Sequence, residues 1–156
     1  MRYIRRVESN DFEKLKDIYL DAIKSISTSD YSKKQIEAWG AKAYLPNLLD
    51  NCFSGSKGWL SVEGKKTVAF AIRKPENRIS LLYTRGEYKR QGHATSLLKK
   101  TESDAVNDGQ KYLVTEASFL SKNLFIKFGW KVQTIETIKI AGVPFERFLM
   151  RKNIIT

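Results

Sequence analysis

The stretch YKRQGHATSLL, residues 88–98, decides how this chain is read. From Ala94 onward, Leu97, Leu98, Thr101 and Ala105 recur at offsets of three and four, the spacing of one helix face. Helix starts recruit Ser, Thr, Asp or Asn, whose side-chain oxygens accept the free N–H groups of the first turn. Here that place is taken by Lys89, Arg90, Gln91, Gly92 and His93. An uncapped amino terminus keeps its N–H donors and the positive end of its dipole. A glycine there lets an anion approach the backbone, and flanking cations add charge. Strand, basic glycine-containing loop, then helix is an arrangement for phosphate. Glycine also serves such positions as a plain cap or packing contact, so the loop needs support from the rest of the chain.

Working outward, RYIRRV (residues 2–7) alternates weakly as a first strand. Ser9, Asn10 and Asp11 supply a cap, and Phe12, Leu15, Ile18, Tyr19, Ala22, Ile23 and Ile26 make a helical stripe. STSD (27–30) breaks that helix; a second starts near Ser32, and Pro46 opens a short third. The period then changes to two. GWLSVE, GKK and TVAFAIRK (58–74) read as a hairpin, and RISLLYT (78–84) as the next strand. The helix of the opening question runs from about Gln91 to Asn107 and ends at Asp108-Gly109. KYLVTEAS (111–118) is a strand, and SKNLFIKFGW (121–130) a short helix stopped by Gly129. KVQTIETIKI and VPFERFLMRK form a closing hairpin around Ala141-Gly142. The order β-α-α-β-β-β-α-β-α-β-β predicts an α+β fold with a single mixed sheet, one domain over residues 1–156.

Composition sets bounds. Hydrophobic content of 42% and 12% aromatics belong to a folded globule. Cys52 is the single cysteine, so no internal disulfide forms and a reducing, cytoplasmic setting is expected. No run of eighteen apolar residues and no signal peptide is present, so no membrane role is expected. The excess of 28 Lys+Arg over 17 Asp+Glu, net +11, attracts polyanions: nucleic acid, an anionic membrane surface or a phosphorylated ligand, unless it is only a solvated surface. His93 and Cys52 are the only His and Cys, which leaves no zinc-ligand spacing and ranks a Ser-His-Asp or Cys-His hydrolase low; no metal is expected.

The order of elements and the loop together resemble the GNAT superfamily of acetyl-CoA-dependent N-acetyltransferases, whose pyrophosphate loop reads [QR]-x-x-G-x-[GA]. KRQGHA (89–94) matches at Gly92 and Ala94, with Lys89 where Gln or Arg is usual. LLYTRGEY (81–88) looks like that family's fourth strand and the turn after it. SFLSKNLFIKFGW (118–130) resembles its N-x-x-A-x-x-F-Y-x-x-x-G-F block, ending on Gly129 and Trp130. Ser118, Ser121 and Phe125 replace the usual Asn, Ala and Tyr. YSKKQIEAWG (31–40) is similar to a helical segment of a poorly characterised bacterial branch.

The resemblance implies a mostly antiparallel sheet with a V-shaped opening between the strands at 79–84 and 112–117. Pantetheine would lie there against the backbone of Leu82, Tyr83 and Thr84, beside Ser118, Ser121 and Phe125. Backbone N–H groups of Gln91, Gly92, His93, Ala94 and Thr95 would hold the pyrophosphate, with Arg85, Lys89 and Arg90 as cationic partners. The implied reaction is direct attack of an amine on the thioester of acetyl-CoA, with a small-molecule or peptide acceptor. Deprotonating a lysine-like amine at pH 7 costs about 4.6 kcal/mol, whereas a thiol resists leaving as thiolate by only about 2 kcal/mol, so the base side dominates. Candidate bases are Glu116, Glu76 and Tyr31; Ser118 is a hydroxyl near the missing tyrosine; a water chain also serves. His93 fits a loop residue better than a base. The missing tyrosine keeps a noncatalytic acyl-CoA-binding module as the second reading. A basic nucleic-acid-binding protein ranks third, without an aromatic RNA signature or recognition helix. A homodimer is left open.

Overall fold

The computed structural model describes residues 1–155, and among them the periodicities resolve into seven strands and five α-helices. They run β1 (Arg2–Arg6), α1 (Phe12–Lys24), α2 (Lys33–Ala41), α3 (Leu48–Phe53), β2 (Lys57–Glu63), β3 (Lys66–Arg73), β4 (Arg78–Thr84), α4 (His93–Asn107), β5 (Tyr112–Ala117), α5 (Lys122–Lys127), β6 (Lys131–Ile140) and β7 (Val143–Asn153). This is the expected order with α3, the short helix after Pro46, added to it. One sheet holds all seven strands in the order β1-β2-β3-β4-β5-β7-β6. Every neighbouring pair is antiparallel except β4 with β5. That exception follows from the chain: β4 and β5 are joined through α4, a crossover that returns the strand in the same direction.

Helices cover both faces. The predicted stripe of α1 buries Leu15, Ile18, Tyr19, Ala22 and Ile23 against Leu60, Phe70 and Ile72 of the sheet. Each fully buried aliphatic there contributes about 2 kcal/mol of transfer free energy. α2 and α3 share this face. α4 and α5 cover the other, where Leu97 packs on Val68, Ala69 and Ala71, and Leu98 and Ala105 join Phe125 and Trp130.

Two termini differ from the sequence reading. Before α1, Ser9 and Asn10 cap nothing; the Asp11 carboxylate accepts the Glu8 N–H at 2.8 Å and grips the Arg5 guanidinium through both oxygens at 2.8 Å. α4 begins at His93 rather than Gln91, because Gly92 sits at φ +88° and ends the preceding turn. A buried ion network then sets the helix's direction. Arg73, its side chain fully buried, binds Asp104 of α4 at 3.0 Å and also Asp108, the residue that ends the helix, and Arg6 of β1 grips Asp104 at 2.8 and 2.9 Å. The clamp fixes the far half of α4 on β1 and β3, and so aims its amino terminus at the end of β4.

Candidate active site

β4 and β5 pair only at Arg78–Val114 and Ile79–Thr115, and then part. Two local features hold the fork. The β3–β4 register steps from Ile72–Leu81 to Arg73–Ile79, which leaves Ser80 as a bulge that bends β4 away. Thr115 Oγ1 donates to the Ile79 carbonyl at 2.7 Å and pins the last joined pair. Beyond the fork the β5-facing backbone of β4 has no strand partner. The space is a cavity of about 580 Å³, in the range of small-molecule sites. It is walled by Ser80 to Thr84 on one strand, Thr115, Glu116, Ser118 and Ser121 on the other side, Leu124 and Phe125 of α5, and Ile23, Ile26 and Trp39 from the opposite face. The V-shaped opening is where the sequence reading put it.

The loop after β4 closes one end. No side chain caps α4, and Lys89, Arg90, Gly92, His93, Ala94 and Thr95 all line the cavity. Arg90 (φ +60°) and Gly92 (φ +88°) are both left-handed, and they bring the chain round from the turn after β4 to the uncapped start of α4, where a helix amino terminus suits an anion. Arg90 adopts this conformation without being glycine, a strain the surrounding contacts must hold. They do. Arg2 donates to the Gln91 carbonyl at 2.7 Å, Asp21 accepts the Gly86 N–H at 2.8 Å, and Gly86 packs so close to Ser25 that a side chain there would overlap Ser25 Cβ. Partial burial pushes the Lys89 ammonium below its usual value, against the pull of Asp21 and Asp30.

Several expected ligand groups point elsewhere. Arg85 donates its Nε–H to the Thr67 carbonyl at 2.8 Å and does not line the cavity. Gln91 is exposed, and its amide donates to the Glu87 carbonyl. The His93 imidazole is buried away from the loop's anion side: Nδ1 lies 2.7 Å from Ser61 Oγ on β2, and Nε2 lies 3.3 Å from Glu63 Oε1, outside hydrogen-bond geometry. Burial lowers its pKa, and Arg2 adds to this. Only the His93 backbone is available to a ligand, and the ring anchors α4 on β2.

Of the candidate catalytic groups, Glu116 and Ser118 reach the cavity and Glu76 and Tyr31 do not line it. Glu116 is gripped by Arg78, whose Nε lies 3.0 and 2.8 Å from the two carboxylate oxygens. Glu76 is in the turn before β4, mostly exposed, with Lys57 at 3.5 Å. Tyr31 is buried against Trp39 and Phe145, and its hydroxyl accepts the Phe119 N–H at 3.1 Å; burial raises its pKa. It holds the loop that carries Ser118. Ser118 and Ser121 cap each other reciprocally: each Oγ accepts the other's N–H, at 3.1 and 3.2 Å. Phe125 is buried at the cavity edge, its ring 4.9 Å from that of Trp130.

The structure adds residues that sequence reasoning missed. Asp30 lines the cavity from the α1–α2 connection, with Ser25 and Ser27 beside it. Its one signal was membership of the STSD helix break. Trp39 of α2 donates its Nε1–H to the Tyr83 hydroxyl at 3.2 Å and forms part of the cavity wall. Burial pushes the Tyr83 phenol up to about 12. Among the described residues, no group of three or more His, Cys, Asp and Glu side chains converges as a metal site, and no helix is long and apolar enough to cross a membrane.

Comparison with known proteins agrees with this geometry. The family model described as "Acetyltransferase (GNAT) domain" matches residues 27–152. A curated relative from Escherichia coli (strain K12), the uncharacterized N-acetyltransferase YafP, is 28% identical over 151 residues, 95% of this chain and 93% of that protein. Among solved structures, a GCN5-related N-acetyltransferase from Rhodopseudomonas palustris superposes with a TM-score of 0.92 at 25% identity, covering 98% of this chain and 96% of its own. The PaiA N-acetyltransferase of Thermoplasma acidophilum, solved in complex with coenzyme A, shares the fold at a TM-score of 0.74 and 20% identity, over 98% of this chain and 99% of its own.

Proposed function

This chain belongs to the GNAT acetyltransferase family, and we propose that it moves the acetyl group of acetyl-CoA to a primary amine of a small molecule or peptide, by direct attack when both are bound. One observation carries the reading. The fork between β4 and β5 opens onto a concavity lined by the uncapped amino terminus of α4, which the chain enters through left-handed Arg90 and Gly92. A pyrophosphate suits that concavity, and the partnerless edge of β4 suits an extended amide chain. When bound, acetyl-CoA supplies an activated acyl group.

The chain's own residues do the rest. Backbone N–H groups of Gly92 to Thr95 hold phosphate, with Lys89 and Arg90 as mobile cations. Leu82, Tyr83 and Thr84 present backbone to the amide chain, and Phe125 and Leu124 exclude water from one side. Glu116 and Asp30, the carboxylates at the cavity, draw a protonated amine to it. Glu116 is already paired with Arg78, and the amine's proton leaves through water in the open slot. The Ser118–Ser121 hydroxyl pair, beside Phe125, is the hydroxyl source nearest the place of the family's usual tyrosine. The reading extends to a cytoplasmic setting, in keeping with Cys52 as a free thiol.

Phe125 supports a second reading, a noncatalytic acyl-CoA-binding module, since phenylalanine donates no proton. One experiment separates them. Acetyl-CoA in millimolar excess should raise the melting temperature by mass action while adenosine does little. A turnover screen against polyamines, amino acids, aminoglycosides and peptides, read by free thiol, should then find an acceptor. Stabilisation without thiol release across the panel favours the binding module; neither effect removes both readings.

A further inference from the structure

The aromatic wall of the main cavity has a second room behind it. A smaller cavity of about 90 Å³ shares Leu81, Trp39 and Tyr83 with the main one. The shared wall is braced, since Trp39 donates to the Tyr83 hydroxyl at 3.2 Å and the Trp39 carbonyl accepts from Tyr19 at 2.8 Å. The remaining lining is Tyr19, Leu48 and Leu49, with Cys52 and Lys42. A space of this size admits a few methylenes or an aliphatic side chain, not a peptide.

Its position separates it from the coenzyme's side of the sheet. Residues of β4 alternate between faces: Leu82 packs toward α4, whereas Leu81 and Tyr83 pack toward α1, α2 and α3. The small cavity therefore lies on the face opposite α4. Its cation is the unusual element. Lys42, in the turn after α2, is half-buried, and burial lowers its pKa. Its charged neighbour, Arg147, is itself a cation already paired with Glu136. Among the described residues, no carboxylate pairs with Lys42. A half-buried ammonium between apolar walls costs free energy until an anion meets it.

Resting on the acetyltransferase reading, we propose that the small cavity is the specificity pocket for the acceptor, and that the acceptor is a small amine with an apolar body ending in a carboxylate held by Lys42. Charge is then matched at both ends. The ammonium lies in the main cavity with Glu116 and Asp30, and the carboxylate lies past Trp39 and Tyr83 at Lys42. A polyamine is disfavoured, because its second ammonium would face Lys42 with Arg147 behind it.

Cys52 is the chain's single cysteine and lines the pocket, so its alkylation reports occupancy directly. The probes are 6-aminohexanoate, hexylamine and 1,6-diaminohexane, equal in carbon count and different only in the far end. Saturating 6-aminohexanoate should slow iodoacetamide labelling of Cys52 severalfold, and the other two should not. Lys42→Gln should remove the protection and Lys42→Arg should keep it. Calorimetry of the same amines, which does not depend on the thiol, should show a preference of about ten- to a hundredfold for the carboxylate. Equal behaviour of the three amines, no measurable binding of 6-aminohexanoate, or a preference unchanged in Lys42→Gln overturns the proposal. Acetyl-CoA binding is titrated on the same samples. If it is absent, the acetyltransferase reading fails; if it is present without a carboxylate preference, only the pocket assignment fails.

Discussion

Arg78 Nε stands 3.0 and 2.8 Å from the two carboxylate oxygens of Glu116, joining β4 to β5 at the point where the strands part. The pair is partly exposed, with side chains 35% and 21% accessible, so its contribution to stability is below about 1 kcal/mol. Its larger effect is to hold the Glu116 carboxylate in place at the cavity wall, as a fixed negative charge for the acceptor.

Glu116→Gln should therefore act on acceptor binding more than on chemistry. The expected result is a KM for the amine raised severalfold, kcat within about tenfold, and a pH profile of unchanged shape. A kcat loss of about a thousandfold with a flattened profile would instead make Glu116 the base.

Gly92 is required by conformation more than by space. A Cβ there would meet only Arg2 at 3.5 Å, but φ of +88° is costly for other residues, about 1–2 kcal/mol. Gly92→Val should lower the melting temperature and abolish stabilisation by acetyl-CoA. Gly92→Asn, which tolerates the left-handed region, should keep the fold and bind more weakly. Wild-type affinity in both variants would remove the loop from the site.

Phe125→Tyr places a phenol at the cavity edge against Trp130. Thiolate departure is the smaller barrier, so the rate should stay within about tenfold of wild type, a change below about 1.4 kcal/mol. The wild-type rate should rise with pH as the amine deprotonates, without the alkaline fall of an essential phenol. A gain of several hundredfold in the variant would show that the parent chain is catalytically impaired.

Acid stability should carry the mark of Asp11. Hydrogen bonds from Arg5 hold its carboxyl down to about 2 against an ordinary 3.8, despite burial. The folded value is the lower one, so the stabilisation is complete above the unfolded value and lost as pH falls from about 5 to 2. It amounts to about 2 kcal/mol near neutrality. Asp11→Asn should lose that amount at pH 7 and flatten the acid limb of the stability curve, measured by urea unfolding across pH. An unaltered limb would assign acid unfolding to other carboxylates, Asp104 and Asp108 first.

What the sequence determined by itself is local. Each strand and helix of the closing half was legible because periods of two and 3.6 are written in neighbouring residues. The uncapped start of α4 was legible for the same reason: a missing Ser or Asp and a glycine are facts about one turn. The fork was foreseen through likeness to a family rather than from any spacing. Tertiary structure alone decided where side chains of that same loop go. Arg85 turns to Thr67 and His93 to Ser61, because β3 and β2 lie beneath the loop and offer polar partners that are distant along the chain. Glu116 acquires Arg78 and Glu76 stays outside, through contacts that depend on which strand lies beside which. A side chain's chemistry is set by its neighbours in space, and here those neighbours lie far off along the chain, 98 residues in the case of Arg6 and Asp104.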